Sequence, residues 1–257
     1  MELNRRDLLR RAFRTGLALF GSAAAFDVVR GDLLAAGVPK AAAPRRAMAV
    51  DIARCIAAGD CRECTTTCHK GHNVPSIADT KREIKWIWKE TFERAFPDEA
   101  HEFTRQDLKG KEVMTLCNHC ENPPCVRVCP TGATWKREDG IVMMDMHRCI
   151  GCRYCMAACP YGSRSFNWSD PARVLPVKAA NPGYPRRTKG VVEKCSFCDE
   201  LADTGKLPLC VTACKTGALI FGDLNDAGSD VRKALAGRYA LRRKPSLGTG
   251  PSVFYLV

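Results

Sequence analysis

The chain has 257 residues, 46% of them hydrophobic, and carries 40 Lys and Arg against 28 Asp and Glu for a formal net charge of +12. That length leaves room for one or two domains, and no apolar run reaches the roughly 18 residues needed to span a bilayer. The 16 cysteines set the composition apart.

Residues 1–43 read as an export signal and spacer. Arg5, Arg6, Arg10, Arg11 and Arg14 precede an uncharged stretch, Thr15 to Phe26, and Ala-rich segments occur at Ala23–Ala25 and Ala41–Ala43. The pair Arg5-Arg6, set in Asn-Arg-Arg-Asp-Leu-Leu, has the form of a twin-arginine signal. A basic amphipathic helix lying on a membrane or partner is the alternative reading. Export of an already folded protein to the periplasm suits the cysteines, because an oxidising compartment would turn unliganded thiols into disulfides.

Four cysteine quartets follow in chain order: Cys55, Cys61, Cys64, Cys68; Cys117, Cys120, Cys125, Cys129; Cys149, Cys152, Cys155, Cys159; and Cys195, Cys198, Cys210, Cys214. Between the first two lies an insertion, 69–116. In its segment Glu83 to Lys89, Ile84, Trp86 and Trp88 alternate with Lys85, Ile87 and Lys89, which predicts a strand with one buried face. Asp139-Gly140, flanked by β-prone residues, predicts a hairpin between the second and third quartets. Short helices are expected after Cys120 and Cys152. Pro171, Pro176, Pro182 and Pro185 make 165–191 an irregular loop, and Leu247–Val257 is expected to end as a strand-like arm.

The third quartet, closing on Cys159-Pro160, is the C-x2-C-x2-C-x3-C-P run of two-cluster bacterial ferredoxins, in which the fourth cysteine serves the neighbouring cluster. At four thiolates per cubane, the chain has ligands for four [4Fe–4S] clusters. A hidden repeat supports this. Cys68, Cys129, Cys159 and Cys214 are each followed three residues later by glycine, Gly71, Gly132, Gly162 and Gly217, where a tight turn with positive φ would return the chain from the cluster. A zinc ribbon competes for the fourth quartet taken alone, and a disulfide framework for an even cysteine count in an exported protein. His69, His72 and His119 stand beside the quartets, but no quartet lacks a cysteine for them to replace, so they read as neighbours rather than ligands.

The clusters also account for the charge without nucleic acid. Loss of residues 1–43 removes seven basic and four acidic residues, taking +12 to +9. Four oxidised clusters at about −2 each bring the total near neutral. No GxSxG, phosphate loop or HExxH is present, so the chain carries no catalytic constellation of its own. With little apolar sequence near the quartets, cluster loss is expected to unfold the chain.

From about residue 48 to 257 the chain resembles the four-cluster ferredoxin-like subunits of the dimethyl-sulfoxide/polysulfide reductase and formate-dependent nitrite reductase systems. The resemblance is carried by Cys117-Asn-His-Cys-Glu-Asn-Pro-Pro-Cys-Val-Arg-Val-Cys-Pro-Thr-Gly-Ala, by Asp145 through Pro160-Tyr-Gly, by Lys194-Cys-Ser-Phe-Cys, and by Cys214-Lys-Thr-Gly-Ala-Leu-Ile-Phe-Gly-Asp-Leu-Asn-Asp. It implies an α+β fold of two interleaved ferredoxin-like domains with inserted strands and loops. The inner domain is 117–189, and the outer one combines 44–116 with 190–257. It further implies crossed ligation: Cys117, Cys120, Cys125 with Cys159; Cys149, Cys152, Cys155 with Cys129; Cys55, Cys61, Cys64 with Cys214; and Cys195, Cys198, Cys210 with Cys68. Five residues separate Cys55 from Cys61 where the family has two, and Pro is missing after Cys68 and Cys214.

The function implied is electron relay, without catalysis, between a polytopic quinone-reactive membrane subunit and a periplasmic redox partner, with membrane association through the complex. Within the family the twin-arginine head, the Cys-His-Lys-Gly-His-Asn-Val-Pro stretch and Glu83–Glu90 are most similar to the DsrO-type subunit of sulfur metabolism, whose partner is a multihaem cytochrome. The alternative is the electron-input subunit of a molybdopterin oxidoreductase, and a weaker one is a structural zinc protein.

Overall fold

The computed structural model describes residues 43–257, which form one compact unit; the export signal read from the sequence lies outside them. Ten strands are short and distributed over four sheets. The largest has the order β8 (Leu219–Asp223), β1 (Arg46–Asp51), β10 (Val253–Leu256), β9 (Ala240–Leu241). β1 runs parallel to β10, pairing Met48 with Val253, and antiparallel to β8, pairing Met48 with Phe221. Both faces of β1 are covered. Ala47 and Ala49 pack with Val231, Phe254 and Leu256, whereas Met48 and Val50 enter the main core. The C-terminal segment ends as a strand, as its sequence leads one to expect, and that strand is interior, with all four residues buried. Its Val-Phe-Tyr-Leu run suits a strand enclosed on both faces.

The insertion forms its own hairpin, β2 (Ile87–Thr91) antiparallel to β3 (Glu112–Leu116). Ile84 and Trp86 are buried as the alternation predicts, but the strand starts only at Ile87, which is also buried, and Trp88 is half-exposed. The cause is local. The Lys85 amide donates to Ser165 Oγ at 2.8 Å, tying the preceding residues to β6 (Ser165–Phe166) instead of to β3. β6 pairs in turn with β7 (Val192–Glu193). The Asp139-Gly140 hairpin forms between β4 (Thr134–Lys136) and β5 (Val142–Met144), with Gly140 at φ +86°. Residues 165–191 are irregular as expected, apart from β6 and two 3-10 turns at Pro171–Arg173 and Val177–Ala179.

The repeat glycines divide. Gly132, Gly162 and Gly217 adopt φ between +62° and +65°, the turn their spacing predicts. Gly71 does not: it closes a nine-residue helix, α2 (Glu63–Gly71), which follows α1 (Ile52–Ala57). A Cβ at Gly71 would lie 2.2 Å from Leu209 Cδ1, so glycine here allows close packing of α2 against the Leu209–Thr212 turn.

The sequence understates the core. Met48, Val50, Ile52, Trp86, Phe92, Phe96, Met114, Leu116, Phe197 and Tyr255 form one buried cluster that also contains Cys68, Cys117, Cys195 and Cys210. The premise that little apolar core adjoins the quartets is corrected: the core is assembled from distant segments and reaches the thiols directly.

Gly151 offers the sharpest test of this packing. It has φ +71°, and an added Cβ would meet the Gly190 carbonyl oxygen at 2.4 Å and Phe166 at 3.2 Å. Gly151→Ala should cost about 1–3 kcal/mol by overpacking, beyond the conformational penalty. Gly162→Ala, with similar φ but open space around it, should cost only about 1 kcal/mol. Anaerobic thermal melts of the two holoproteins measure the difference.

Candidate metal centres

The segments around the cysteines are built to turn thiols inward. In three quartets the residue before the second cysteine is left-handed: His119 at φ +40°, Gly151 at +71° and Phe197 at +57°. Glycine adopts this freely, whereas a bulky side chain does so at a cost of order 1–3 kcal/mol. The conformation aims successive backbone N–H groups into one concavity that suits anions. The Phe197 N–H accordingly donates to Cys195 Sγ at 3.4 Å, and the Leu209 N–H to Cys198 Sγ at 3.4 Å. The first quartet uses a helix instead. Cys64 and Cys68 lie four residues apart on α2, hence on one face.

The sixteen thiols gather by fours, each set drawing its last member from another quartet. Cys117, Cys120, Cys125 and Cys159 line one cavity of about 330 Å³. Cys149, Cys152, Cys155 and Cys129 line another of about 290 Å³. Cys55, Cys61, Cys64 and Cys214 line a third of about 390 Å³. Cys68 faces Cys195, Cys198 and Cys210 in the deepest set, where all four are buried. Cys55 reaches its cavity because α1 carries it there and a turn with Gly59 at φ +59° absorbs the wide spacing before Cys61.

Neighbouring sets adjoin in a fixed order: Cys125 shares a packed cluster with Cys155, and Cys117, Cys195, Cys68 and Cys210 share another with Cys64 at its edge. Burial is the first cause raising the Cys155, Cys195, Cys68 and Cys210 thiols, and a sulfur of the adjoining set adds to each. Cys125 acts on Cys155, Cys117 on Cys195, and Cys64 on Cys68 and Cys210. The line therefore starts at the set of Cys129, Cys149, Cys152 and Cys155 and passes through that of Cys117, Cys120, Cys125 and Cys159. It continues through Cys68, Cys195, Cys198 and Cys210 and ends at Cys55, Cys61, Cys64 and Cys214. The two inner sets are the most buried, and Cys152 at one end is exposed.

The donor chemistry fits iron–sulfur clusters and not single zinc ions. Tetrahedral zinc with Zn–S near 2.3 Å brings its sulfurs within about 3.8 Å of one another. Among the described residues the set of three or more Cys, His, Asp or Glu whose ligand atoms come within 4.8 Å is His72, Cys198 and Glu200; no cysteine quartet closes that far. All sixteen thiols are free, which leaves no disulfide framework. Burial pushes Cys120 and Cys195 up to about 12 and Cys198 higher still, so these sites ionise only around a cationic centre. Buried polar atoms without a protein partner, Asn118 Nδ2, His119 Nε2 and Ser196 Oγ, also flank the ligands of the two inner sets, positions from which they can donate to cluster sulfur.

Cys129 and Cys214 behave differently. Burial raises both, but Thr131 and Thr216, with hydroxyls 3.7 and 3.6 Å from the sulfurs, and nearby backbone N–H groups outweigh it and bring both thiols down. Each belongs to a Cys-x-Thr-Gly-Ala stretch, so its threonine was readable in the sequence as part of the repeat but not as a sulfur partner. Arg164 was missed altogether. Buried, it places Nη2 at 3.1 Å from Cys125 Sγ and Nη1 at 2.9 Å from Thr134 Oγ1. Burial opposes its charge, and the sulfurs of Cys125, Cys155 and Cys117 more than offset that.

The histidines are structural neighbours. His72 Nδ1 lies 2.9 Å from the Cys68 carbonyl oxygen and Nε2 lies 3.1 Å from Glu200, while its ring stacks on Trp86. The Val142 N–H donates to His119 Nδ1 at 3.1 Å, and the ring stacks on Phe197 at 3.8 Å. Burial first, then the Lys194 and Arg164 charges, hold His119 well below the usual histidine range, so it is neutral.

The 4Fe-4S dicluster domain family matches residues 111–174, and a second family of that description matches 148–218. The chain is 42% identical over 234 residues to iron–sulfur subunit 1 of the Hdr-like menaquinol oxidoreductase of Archaeoglobus fulgidus, covering 82% of each chain. It is 39% identical over 211 residues to a putative dimethyl sulfoxide reductase iron–sulfur subunit of Halobacterium salinarum, covering 81% and 78%. Against the iron–sulfur cluster-binding subunit of the menaquinone reductase of Nitratidesulfovibrio vulgaris it is 34% identical over 230 residues, covering 81% and 87%. The protein belongs to the 4Fe-4S dicluster iron–sulfur subunits of oxidoreductase complexes. Its two dicluster domains and sixteen cysteines fit four [4Fe–4S] clusters, and it is an electron-transfer subunit, not a catalytic one. Among the described residues no helix is long and apolar enough to cross a membrane.

Trp86 ties the insertion to the deepest centre. Its indole N–H donates to the buried Glu193 carboxylate at 2.9 Å while its ring packs on His72. Trp86→Phe leaves that carboxylate short of a donor and should cost about 1–3 kcal/mol. Denaturant midpoints at unchanged iron content measure the loss.

Proposed function

We propose that the chain is the electron-input subunit of a quinone-linked oxidoreductase, a four-cluster wire between a polytopic quinone-reactive membrane subunit and a molybdopterin catalytic subunit. The observation that carries this reading is the gathering of sixteen thiols into four sets, each joining members of two quartets, that adjoin one another in a line. Electron transfer needs little more than closely spaced centres and docking surfaces at the ends. Relatives named as subunits of arsenate, selenate and tetrathionate reductases support the choice of catalytic partner.

In this reading each set ligates one cluster. Cys55, Cys61 and Cys64 work with Cys214, and Cys195, Cys198 and Cys210 with Cys68. Cys117, Cys120 and Cys125 work with Cys159, and Cys149, Cys152 and Cys155 with Cys129. The clusters supply one-electron carriers. The protein residues supply thiolate ligands, N–H donors to sulfur and a buried surround that excludes water from the inner centres.

The complex lies at the periplasmic face, reached by the twin-arginine route. Support for that part comes from Arg5 and Arg6 and their uncharged sequel. A DsrO-like relay to a multihaem cytochrome is the second reading, compatible with a relative named as a subunit of an Hdr-like menaquinol oxidoreductase.

Anaerobic purification of the native complex separates the two. Molybdenum in the complex supports the first and haem the second, and fewer than about 12 iron atoms per chain refutes the four-cluster wire. Crossed ligation is tested by loss of EPR signals. Cys159→Ser should abolish the signal that Cys120→Ser abolishes, and leave the one lost in Cys152→Ser. The double variant Arg5→Lys with Arg6→Lys should remain in the cytoplasm, as cell fractionation measures.

A further inference from the structure

The fourfold repeat is broken at one position by a buried cation. Five residues beyond the last cysteine of each quartet stand Asn73, Thr134, Arg164 and Leu219. In the inner pair of quartets these equivalent positions meet, with the Arg164 guanidinium donating to Thr134 Oγ1 at 2.9 Å and to Cys125 Sγ at 3.1 Å. Arg164 is 4% exposed. Among the described residues it forms no ion pair with a carboxylate, and the charges that bear on it are those of Cys125, Cys155 and Cys117. A guanidinium stays protonated when buried, so it requires a counter-charge close by. Cys125 and Cys155 line different cavities: Arg164 lines that of Cys125, and Thr134 and Met144, which its Nη1 contacts at 2.9 and 3.7 Å, line that of Cys155.

Among the described residues the outer pair of quartets has no buried cation at the equivalent positions, Asn73 and Leu219. The Asn73 amide donates to the carbonyls of Asn181 and Tyr184 at 2.9 and 2.5 Å. Leu219 lines its cavity with an uncharged side chain. The set of Cys68, Cys195, Cys198 and Cys210, built from the first and fourth quartets, faces acidic neighbours instead, because Glu200 and Asp199 bear on Cys198. A second buried cation, Lys194, donates to the carbonyls of Cys195 and Val142. Its charge bears on Cys125 and Cys195, whereas the cation that bears on Cys155 is Arg164.

We propose that Arg164 is the shared counter-cation of the two centres built from the second and third quartets, holding both at higher reduction potential than they would otherwise have. Reduction adds negative charge to a cluster, so a fixed cation between two clusters favours the reduced state of each. Thr134 orients the guanidinium and is a positioning residue. This inference rests on the crossed ligation proposed above.

The test is an EPR-monitored redox titration of the holoprotein as wild type, Arg164→Lys and Arg164→Gln, with signals assigned through Cys120→Ser and Cys152→Ser. Arg164→Gln should shift two potentials negative, those of the Cys120 and Cys152 clusters, and leave the other two in place. Arg164→Lys, which keeps the charge, should recover most of the shift. Unchanged potentials in Arg164→Gln overturn the proposal, as does an equal shift of all four. If Arg164→Gln fails to assemble, a shift in Arg164→Lys confined to the same two clusters supports it, and unshifted potentials there overturn it. Failure of the ligation reading shows separately, as iron well below about sixteen atoms per wild-type chain or as signals lost in other pairs from the cysteine variants.

Discussion

A buried thiol ringed by other thiols resists ionisation twice over, once because water is gone and again because each neighbouring thiolate repels it. In this chain that holds for nearly every cysteine in the two inner sets, and burial is the larger cause wherever a thiol is raised. The fold answers by supplying positive potential at close range: left-handed turns that aim amides at sulfur, threonine hydroxyls at Cys129 and Cys214, and Arg164 between two sets. None of these neutralises four thiolates. The iron of a cluster would, which couples ligand ionisation to cluster binding at these sites.

Legibility in the sequence follows from how local each feature is. The quartets, the Asp139-Gly140 hairpin and three of the four repeat glycines depend on a few consecutive residues, and each reads correctly. The left-handed turns at His119 and Phe197 could not be read, because only Gly151 advertises that conformation; the other two are held there by packing, His119 and Phe197 stacking on each other. Burial of β10 was hidden because β1, the partner that encloses it on one side, comes from the opposite end of the described chain. Gly71 shows the opposite hazard: the residue was correctly picked out, yet the reason for glycine is the approach of Leu209 and not a turn.

The same logic explains why the insertion belongs to the electron-transfer core. Its hairpin places Met114 in the cavity of the Cys55 set, and Trp86, just before the hairpin, stacks on His72 beside Cys68. It closes two outer sites that the short ferredoxin repeat alone would leave open. Burial of the inner centres lowers the local dielectric and strengthens every fixed charge there, so Arg164 and Lys194 act more strongly than any surface lysine could.

The two ends of the line differ in a way that bears on partners. At the Cys55 end three cations pair with carboxylates, Lys215 with Glu63, Arg62 with Glu112 and Arg54 with Asp51, and Lys89 donates to the Gly59 carbonyl. At the other end Ile150, Tyr154 and Trp168 are exposed around the accessible Cys152, and Arg153 is spread over Phe166 and Trp168 without an acidic partner among the described residues. A protein surface that leaves aromatic residues and an unpaired guanidinium in water around a redox centre is composed like the core of an interface and unlike a solvated face. The two ends of the line of thiol sets are thus unlike in their surfaces even though its repeats are alike.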